Sequence, residues 1–428
     1  MKRVHSVFAT VCMFGAMVAS SHAQQPITVG VLTDMSGSSK DLAGPGAVAA
    51  VEMAVEDFGG SVLNRPIKVI SADHQLKADV GAGIARRWYD VEGVDLIVDV
   101  PVSAVGLAVQ AIAKDKNRLL ITSATLTSDF TSKFCSNTTM QWNFNTVALA
   151  NSTARAAVQR GLKNWFFLTA DYAFGHALER DASKVVVANG GTVVGSVRHP
   201  FNSPDLTSFV VQALASKAQA IGLANGPPDN VTAMKEASEF GLASSGKSMV
   251  GLFVLITDIR ALGLKAAQGL ILTDSFYWDF DPDTRAWSKR FYQRTGAIPT
   301  SVQASDYSAV AHWLKAIKAA NTTDADAVAA KMRDLPVEDI FSRHGKLRRD
   351  GAMVHDLYLM QVKKPEESSG PWDIYRVLAT IRGEDVFPRI EDEDCPLVKV
   401  AATWHGNQFY GYLLTRKDRS KRNHEGFA

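Results

Sequence analysis

From Ile27 onward the chain switches between two hydrophobic rhythms. Short apolar runs such as Ile27–Thr33 read as buried strands, and longer stretches repeat their apolar residues every three to four positions, as helices do. After the first strand comes a polar loop, then a helix whose face is Val48, Val51, Val55 and Phe58, with Glu52 and Glu56 on another side and Gly59-Gly60 as its stop. The pattern then predicts strands over Pro66–Ser71, Asp95–Val98 and Leu119–Thr122, with helices over Lys77–Asp90 and from Ser103, as a capping hydroxyl, to Lys114. A helix over Asn151–Arg160 leads into a second set. Its strands are Trp165–Thr169, Thr192–Val197, Ala220–Ala224, Met249–Leu255 and Gly269–Leu272. Its helices open at Asp171–Gly175 and at Ser203-Pro204-Asp205, and a third runs over Asp229–Phe240. Three more helices, near Asp283–Arg294, Val302–Ala320 and Asp324–Arg333, precede two antiparallel strands, Met353–Lys363 and Trp372–Ile381. Alternation of this kind predicts an α/β protein with mainly parallel sheets, and the two similar sets predict two lobes.

The ends break the rhythm. Lys2 and Arg3 precede an apolar run, Val7–Val18, that closes on Ser21-His22-Ala23. A cationic start, a run too short to span a bilayer and a small-x-small triplet together predict a signal peptide over 1–23, with a first core helix as the alternative. No later apolar run is long enough to cross a membrane. Removing the leader leaves Cys135 and Cys395, which in an oxidising compartment form one disulfide or stand as two buried thiols. The formal charge of +2 is carried by the ends, so the chain between them is mildly acidic, without the basic patch that nucleic acid needs. Residues 398–428 mix aromatics with a basic run from Arg416 to Arg422 and read as a poorly ordered tail.

Candidate chemistry narrows the picture mostly by exclusion. Gly44-Pro45-Gly46-Ala47-Val48-Ala49 matches a dinucleotide fingerprint, but some ten residues separate it from the strand, and Pro45 removes an amide donor. Close backbone packing at a helix start accounts for the same glycines, and no cofactor or metal is expected. The chain holds no nucleophile elbow, zinc-protease helix or phosphate loop, and its histidines are scattered. Three hydroxyl-bearing turns remain: Ser36–Ser39, Val102–Ala104 and Ser123–Thr127. In a parallel sheet such turns gather at the strands' carboxyl ends, where helix N-termini offer amides to an anion. Ser103 and Thr127 suit a carboxylate there, or simply cap their helices. Tyr172 and Asn225 hold equivalent turns in the second set, and Tyr277-Trp278 follows a later strand.

At these residues the chain resembles a known family. The Met35-Ser36-Gly37 loop, Asp41-x-x-Gly44-Pro45-Gly46, Ser123–Thr127, and Ala170-Asp171-Tyr172 with Phe174-Gly175 are similar to the type I periplasmic binding proteins, in the leucine/isoleucine/valine-binding branch of ABC-importer receptors. The resemblance covers about residues 27–397 and implies two doubly wound lobes joined by crossover strands, with a ligand trapped between them. By this resemblance the first lobe takes 27–145 and 275–350, and the second 146–274 and 351–397. It also implies that Ser103 and Thr127 hold the ligand carboxylate, that Thr125 lends backbone, and that Tyr172 closes from the other lobe. Where amino-acid binders carry an acidic group, Gly251–Ile256 is apolar, which favours an aromatic or other hydrophobic carboxylate over an α-amino acid. Asp41 and Asn225 then remain for a distal polar group, Ser36 and Asp41 sit at the cleft mouth, and Tyr277 lines the ligand site or belongs to a lobe-edge core. The expected protein is a non-catalytic, monomeric periplasmic receptor that delivers a small hydrophobic or aromatic carboxylate, or a branched-chain amino acid, to an ABC permease. A sensing subunit, or less readily a secreted hydrolase, is the alternative.

Overall fold

The computed structural model describes residues 25–398, so the expected signal peptide and nearly all of the expected tail lie outside the described residues. The first set of elements forms a six-stranded sheet. Its strands are β1 (Ile27–Thr33), β2 (Ser61–Val62), β3 (Arg65–Asp73), β4 (Leu96–Asp99), β5 (Leu119–Thr122) and β6 (Thr139–Gln141). They lie in the order β2-β3-β1-β4-β5-β6, parallel throughout except for the short β2–β3 pairing. All seven residues of β1 are buried, as expected of a strand covered by helices on both faces. β1 pairs with β3 on one side and β4 on the other. Strand order reverses there, which makes their carboxyl ends the switch point of the sheet.

The second sheet follows the same logic with four strands, β7 (Asn164–Ala170), β8 (Thr192–His199), β9 (Ala220–Ala224) and β10 (Ser248–Gly251). Their order is β10-β9-β7-β8, all parallel, so its switch point lies between β7 and β9. The chain then forms β11 (Ile271–Asp274), β12 (Lys346–Leu347), β13 (Met353–Val354), β14 (Leu357–Val362) and β15 (Tyr375–Ile381). β11 is antiparallel to β14, and β14 to β15, in a separate three-stranded sheet. The expected hairpin of the two late strands is present. The strand expected near Gly269–Leu272 belongs to it rather than to the parallel set.

Two local readings change. The strand expected over Met249–Leu255 ends at Gly251, and a new helix begins at Ile256. Asp258 accepts from the Leu255 amide (3.0 Å) and so turns this apolar stretch out of the sheet. The helix expected at Ser203-Pro204-Asp205 starts later, at Thr207. The Asp205 carboxylate takes the Thr207 amide (2.8 Å), and Glu236 takes that of Leu206 (3.1 Å), so the capping falls past Pro204. Thr300 and Gln303 form a reciprocal box at the start of the helix Ser301–Ala320, whereas the helix Ser103–Asp115 has Val102 at its cap position and no side-chain cap, so Ser103 does not cap it as expected.

Candidate ligand-binding site

The carboxyl ends of the two parallel sheets meet across a narrow cavity of about 30 Å³. From the first sheet it receives Ser39 and Leu42 of the loop after β1, Val102 and Ser103 after β4, and Ala124 and Leu126 after β5. From the second come Tyr172 and Phe174 after β7, Phe201 after β8 and Gly226-Pro227 after β9, with Phe253 from the turn beyond β10. A hollow of about 500 Å³ lies at the open edge of β10, lined by Arg160, Lys247 and Leu270 among others. It is larger, but only the narrow cavity stands at both switch points, where such folds bind ligands.

Each wall has a local cause. Asp34, just past β1, is fully buried and accepts the amides of Gly37 and Ser39 (both 2.8 Å), which folds the hydroxyl-rich loop so that Ser39 turns inward. After β4 the backbone is strained: Asp99, Val100 and Val102 have φ of 80°, 55° and 71°, a region β-branched residues rarely enter. Hydrogen bonds from the loop after β5 hold it. Thr122 Oγ1 donates to Asp99 O (2.6 Å) and Thr125 Oγ1 to Val100 O (2.7 Å). Gln141 Nε2 donates to the carbonyls of Thr125 (2.7 Å) and Thr127 (3.1 Å). The outcome of this clamp is Ser103, the first residue of the helix Ser103–Asp115, nearly buried and facing the cavity. Its Oγ accepts the Thr127 amide at 3.3 Å, which leaves the hydroxyl proton free to donate.

The opposite wall is aromatic. Tyr172 stacks on Phe201 with centroids 4.3 Å apart, and Phe174 meets Phe253 edge-on at 5.4 Å. Burial pushes the Tyr172 phenol far above its ordinary value, so it stays a neutral donor. Gly175 sets this wall. A Cβ there would stand 2.1 Å from the carbonyl oxygen of Ala170, because the helix Ala173–Ala188 starts hard against the end of β7. Gly175→Ala is expected to cost about 1–3 kcal/mol of stability and to move Tyr172 out of register. Denaturant unfolding and ligand titration check this, and an unchanged midpoint would show that the turn has slack.

Of the residues singled out in the sequence, the structure brings Ser103 and Tyr172 together at the cavity. Thr125 is buried in the clamp described above. Thr127 is buried one step back, where its hydroxyl accepts the Asp129 amide (3.4 Å) as a cap. Asn225 lies behind the second wall, with Oδ1 3.0 Å from His199 Nε2. Ser36 is exposed and donates to Asp73 (2.6 Å), and Asp41 is exposed on the outside of the loop. Tyr277 packs on Tyr375, centroids 5.6 Å apart, within the core under the three-stranded sheet. Sequence reasoning passed over Ser39, Phe201 and Phe253. Phe253 was signalled by the apolar stretch where an acid was looked for; Phe201 had no signal. Gly46 has a packing role, since a Cβ would lie 2.2 Å from Gln303 Nε2, which donates to Ala43 O (3.1 Å).

With this geometry in hand, residues 26–370 match the model of the periplasmic binding protein family. The chain belongs to that family. A periplasmic binding protein from Burkholderia mallei is 46% identical, covering 87% of this chain and 99% of its own, with a TM-score of 0.85. A branched chain amino acid ABC transporter periplasmic ligand-binding protein from Burkholderia xenovorans is 40% identical over the same shares, with a TM-score of 0.78. Among curated relatives, the Leu/Ile/Val-binding protein homolog 6 of Brucella suis is 25% identical over 275 residues, which is 63% of this chain and 70% of that protein. The two-lobed periplasmic binding protein fold is therefore the fold of this chain, and the disulfide Cys135–Cys395 is formed. No helix among the described residues is long and apolar enough to cross a membrane.

Proposed function

We propose that this periplasmic binding protein captures a small, mainly apolar carboxylate, aromatic or branched-chain, and delivers it as a monomer to the permease of an ABC importer. The observation that carries the reading is the composition of the cleft: aromatic and aliphatic walls with a few hydroxyls, among them Ser103 at a helix start. Apolar walls supply affinity, and the hydroxyl with the helix amides supplies the anion's partners. A cavity of about 30 Å³ holds little more than a water, so the lobes must part to admit a ligand. Export through residues 1–23 and a non-catalytic role belong to the same proposal.

The proposed division into 27–145 with 275–350, and 146–274 with 351–397, is supported by the crossovers. Ser275 donates to Asn143 Oδ1 (2.7 Å), and Gln141 bridges to Ala352, so three chain passages lie side by side. A thermal-shift screen of benzoate, 4-hydroxybenzoate, leucine, valine and their amides tests the reading, because a ligand that binds the native state raises the midpoint. Carboxylates should shift it and amides should not. Ser103→Ala is expected to cost about 1–3 kcal/mol of affinity, while Thr127→Ala acts only through its cap and costs less. Calorimetry in which Ser103→Ala binds like the parent would remove Ser103 from the site.

A further inference from the structure

The hollow of about 500 Å³ at the open edge of β10 shares no lining residue with the narrow cavity. Its walls come from the helix Arg155–Gln159 with the turn before it, the helix Asp229–Glu239, β10 itself, and the short helix Leu264–Ala267 with the start of β11. Its size falls within the range of about 300–1,000 Å³ usual for small-molecule sites. Most of its lining is apolar, with Met234, Val250 and Ala267 buried and Leu270 half-buried.

The charged groups gather at one end. Arg160 lies shortly before β7 and Lys247 immediately before β10, and these strands run parallel in one sheet. Both cations therefore stand at the amino end of the second sheet, the end opposite the cleft. Among the described residues Arg160 has no ion pair, and no aspartate or glutamate lines the hollow. Lys247 Nζ gives one proton to Ala218 O (3.1 Å) and keeps two. The strand edge adds a backbone donor. Ser248 donates its amide to Gln219 O (2.9 Å), so alternation turns the Met249 amide to the other side, where no strand pairs among the described residues.

An apolar hollow with a cationic, acid-free end is complementary to one chemistry. We propose that it is a second binding site, for a single-chain amphipathic anion whose chain lies against Met234 and Val250 and whose head meets Arg160, Lys247 and the Met249 amide. A neutral chain would gain nothing from the two cations, a cationic one would be repelled, and a small polar anion would leave the apolar wall in water. The site stands whatever the cleft binds. A free medium-chain carboxylate and a single-chain phospholipid share this chemistry.

The test titrates the full chain, carrying ¹³C-methyl methionine, with sodium decanoate below its micelle concentration. Met234 and Met249 line the hollow and no methionine lines the narrow cavity, so these two methyl signals report on this site. They should shift saturably and show nuclear Overhauser contacts to the decanoate chain. Arg160→Gln and Lys247→Gln should each weaken decanoate by up to about fivefold, and the two together by about tenfold. Decanol should bind about tenfold more weakly than decanoate. Ser248→Trp, at an exposed position of the lining, should fill the space and abolish the contacts while circular dichroism shows the fold intact. Lysophosphatidylglycerol in place of decanoate separates the sources: tighter binding by it assigns a lipid, and tighter binding by decanoate a free carboxylate. Methyl signals that neither ligand moves, or contacts that survive Ser248→Trp, overturn the site. Decanol binding as tightly as decanoate, or a double variant that binds like the parent, overturns the anionic head.

Discussion

Replacing Cys135 and Cys395 together by Ala is expected to lower stability by up to about 5 kcal/mol. The bridge spans 260 residues of sequence, so cutting it frees nearly the whole chain in the unfolded state. Both cysteines are buried, at 2% and 0% exposure, so the native bridge sits inside packed structure. It fastens the last described segment to the loop after β5, where Asp394 also donates its amide to Ser132 Oγ (3.2 Å). Pro388 accepts from Arg348 in the same junction, and Arg348 is paired with the buried Asp350. These contacts limit the local damage, so most of the loss should come from the unfolded chain. Urea unfolding of parent and double variant measures it, with the reduced parent as a control. A double variant as stable as the oxidised parent would mean that the unfolded chain is already compact or that the native bridge is strained.

How much of this was legible in the sequence follows from where the information lies. Ile27–Thr33 is apolar at nearly every position, as a buried parallel strand is, and the four central strands of the first sheet could be written down in this way, whereas the short edge strands β2 and β6 carry too few residues to show a pattern. The second sheet was legible up to Gly251. Beyond it Leu252–Leu255 is as apolar as a strand, and what bends it is Asp258 reaching back to the Leu255 amide, a contact periodicity does not encode. The site divides the same way. Ser103 and Tyr172 reach the narrow cavity because strand-to-helix turns put them at the carboxyl ends of sheets. Ser36 and Asp41 share a loop with Ser39, and the choice among them depends on Asp34, whose carboxylate curls the loop and brings Ser39 inward. Phe201 arrives from the far edge of the second sheet and had nothing local to mark it. Close packing is the role the structure gives Gly46, since Gln303 fills the space beside it.

Asp181→Ala is expected to cost about 3 kcal/mol and to weaken ligand binding as well. Asp181 lies on the helix Ala173–Ala188, behind the aromatic wall, and is only 4% exposed. Its Oδ2 accepts from Ser128 Oγ (2.7 Å) and Thr146 Oγ1 (2.6 Å), and its Oδ1 from Arg180 Nε (2.9 Å). Ser128 belongs to the loop after β5, next to Thr127, so this carboxylate ties the Tyr172 wall to the Ser103 wall. Arg180 is 40% exposed and can turn to water, which keeps the loss toward the lower end for a buried pair. The two hydroxyls cannot turn away so easily, because Thr146 Oγ1 also accepts the Ser128 amide (3.1 Å). Asp181→Asn keeps one acceptor oxygen and should lose about 1 kcal/mol. If the tie favours the closed arrangement, its removal shifts the population toward open lobes, and affinity falls by the fraction of closed form lost. Denaturant midpoints measure the first effect, and small-angle scattering with ligand titration the second. Lower stability with an unchanged radius and unchanged affinity would make Asp181 a brace within the closed fold rather than a tie between the lobes.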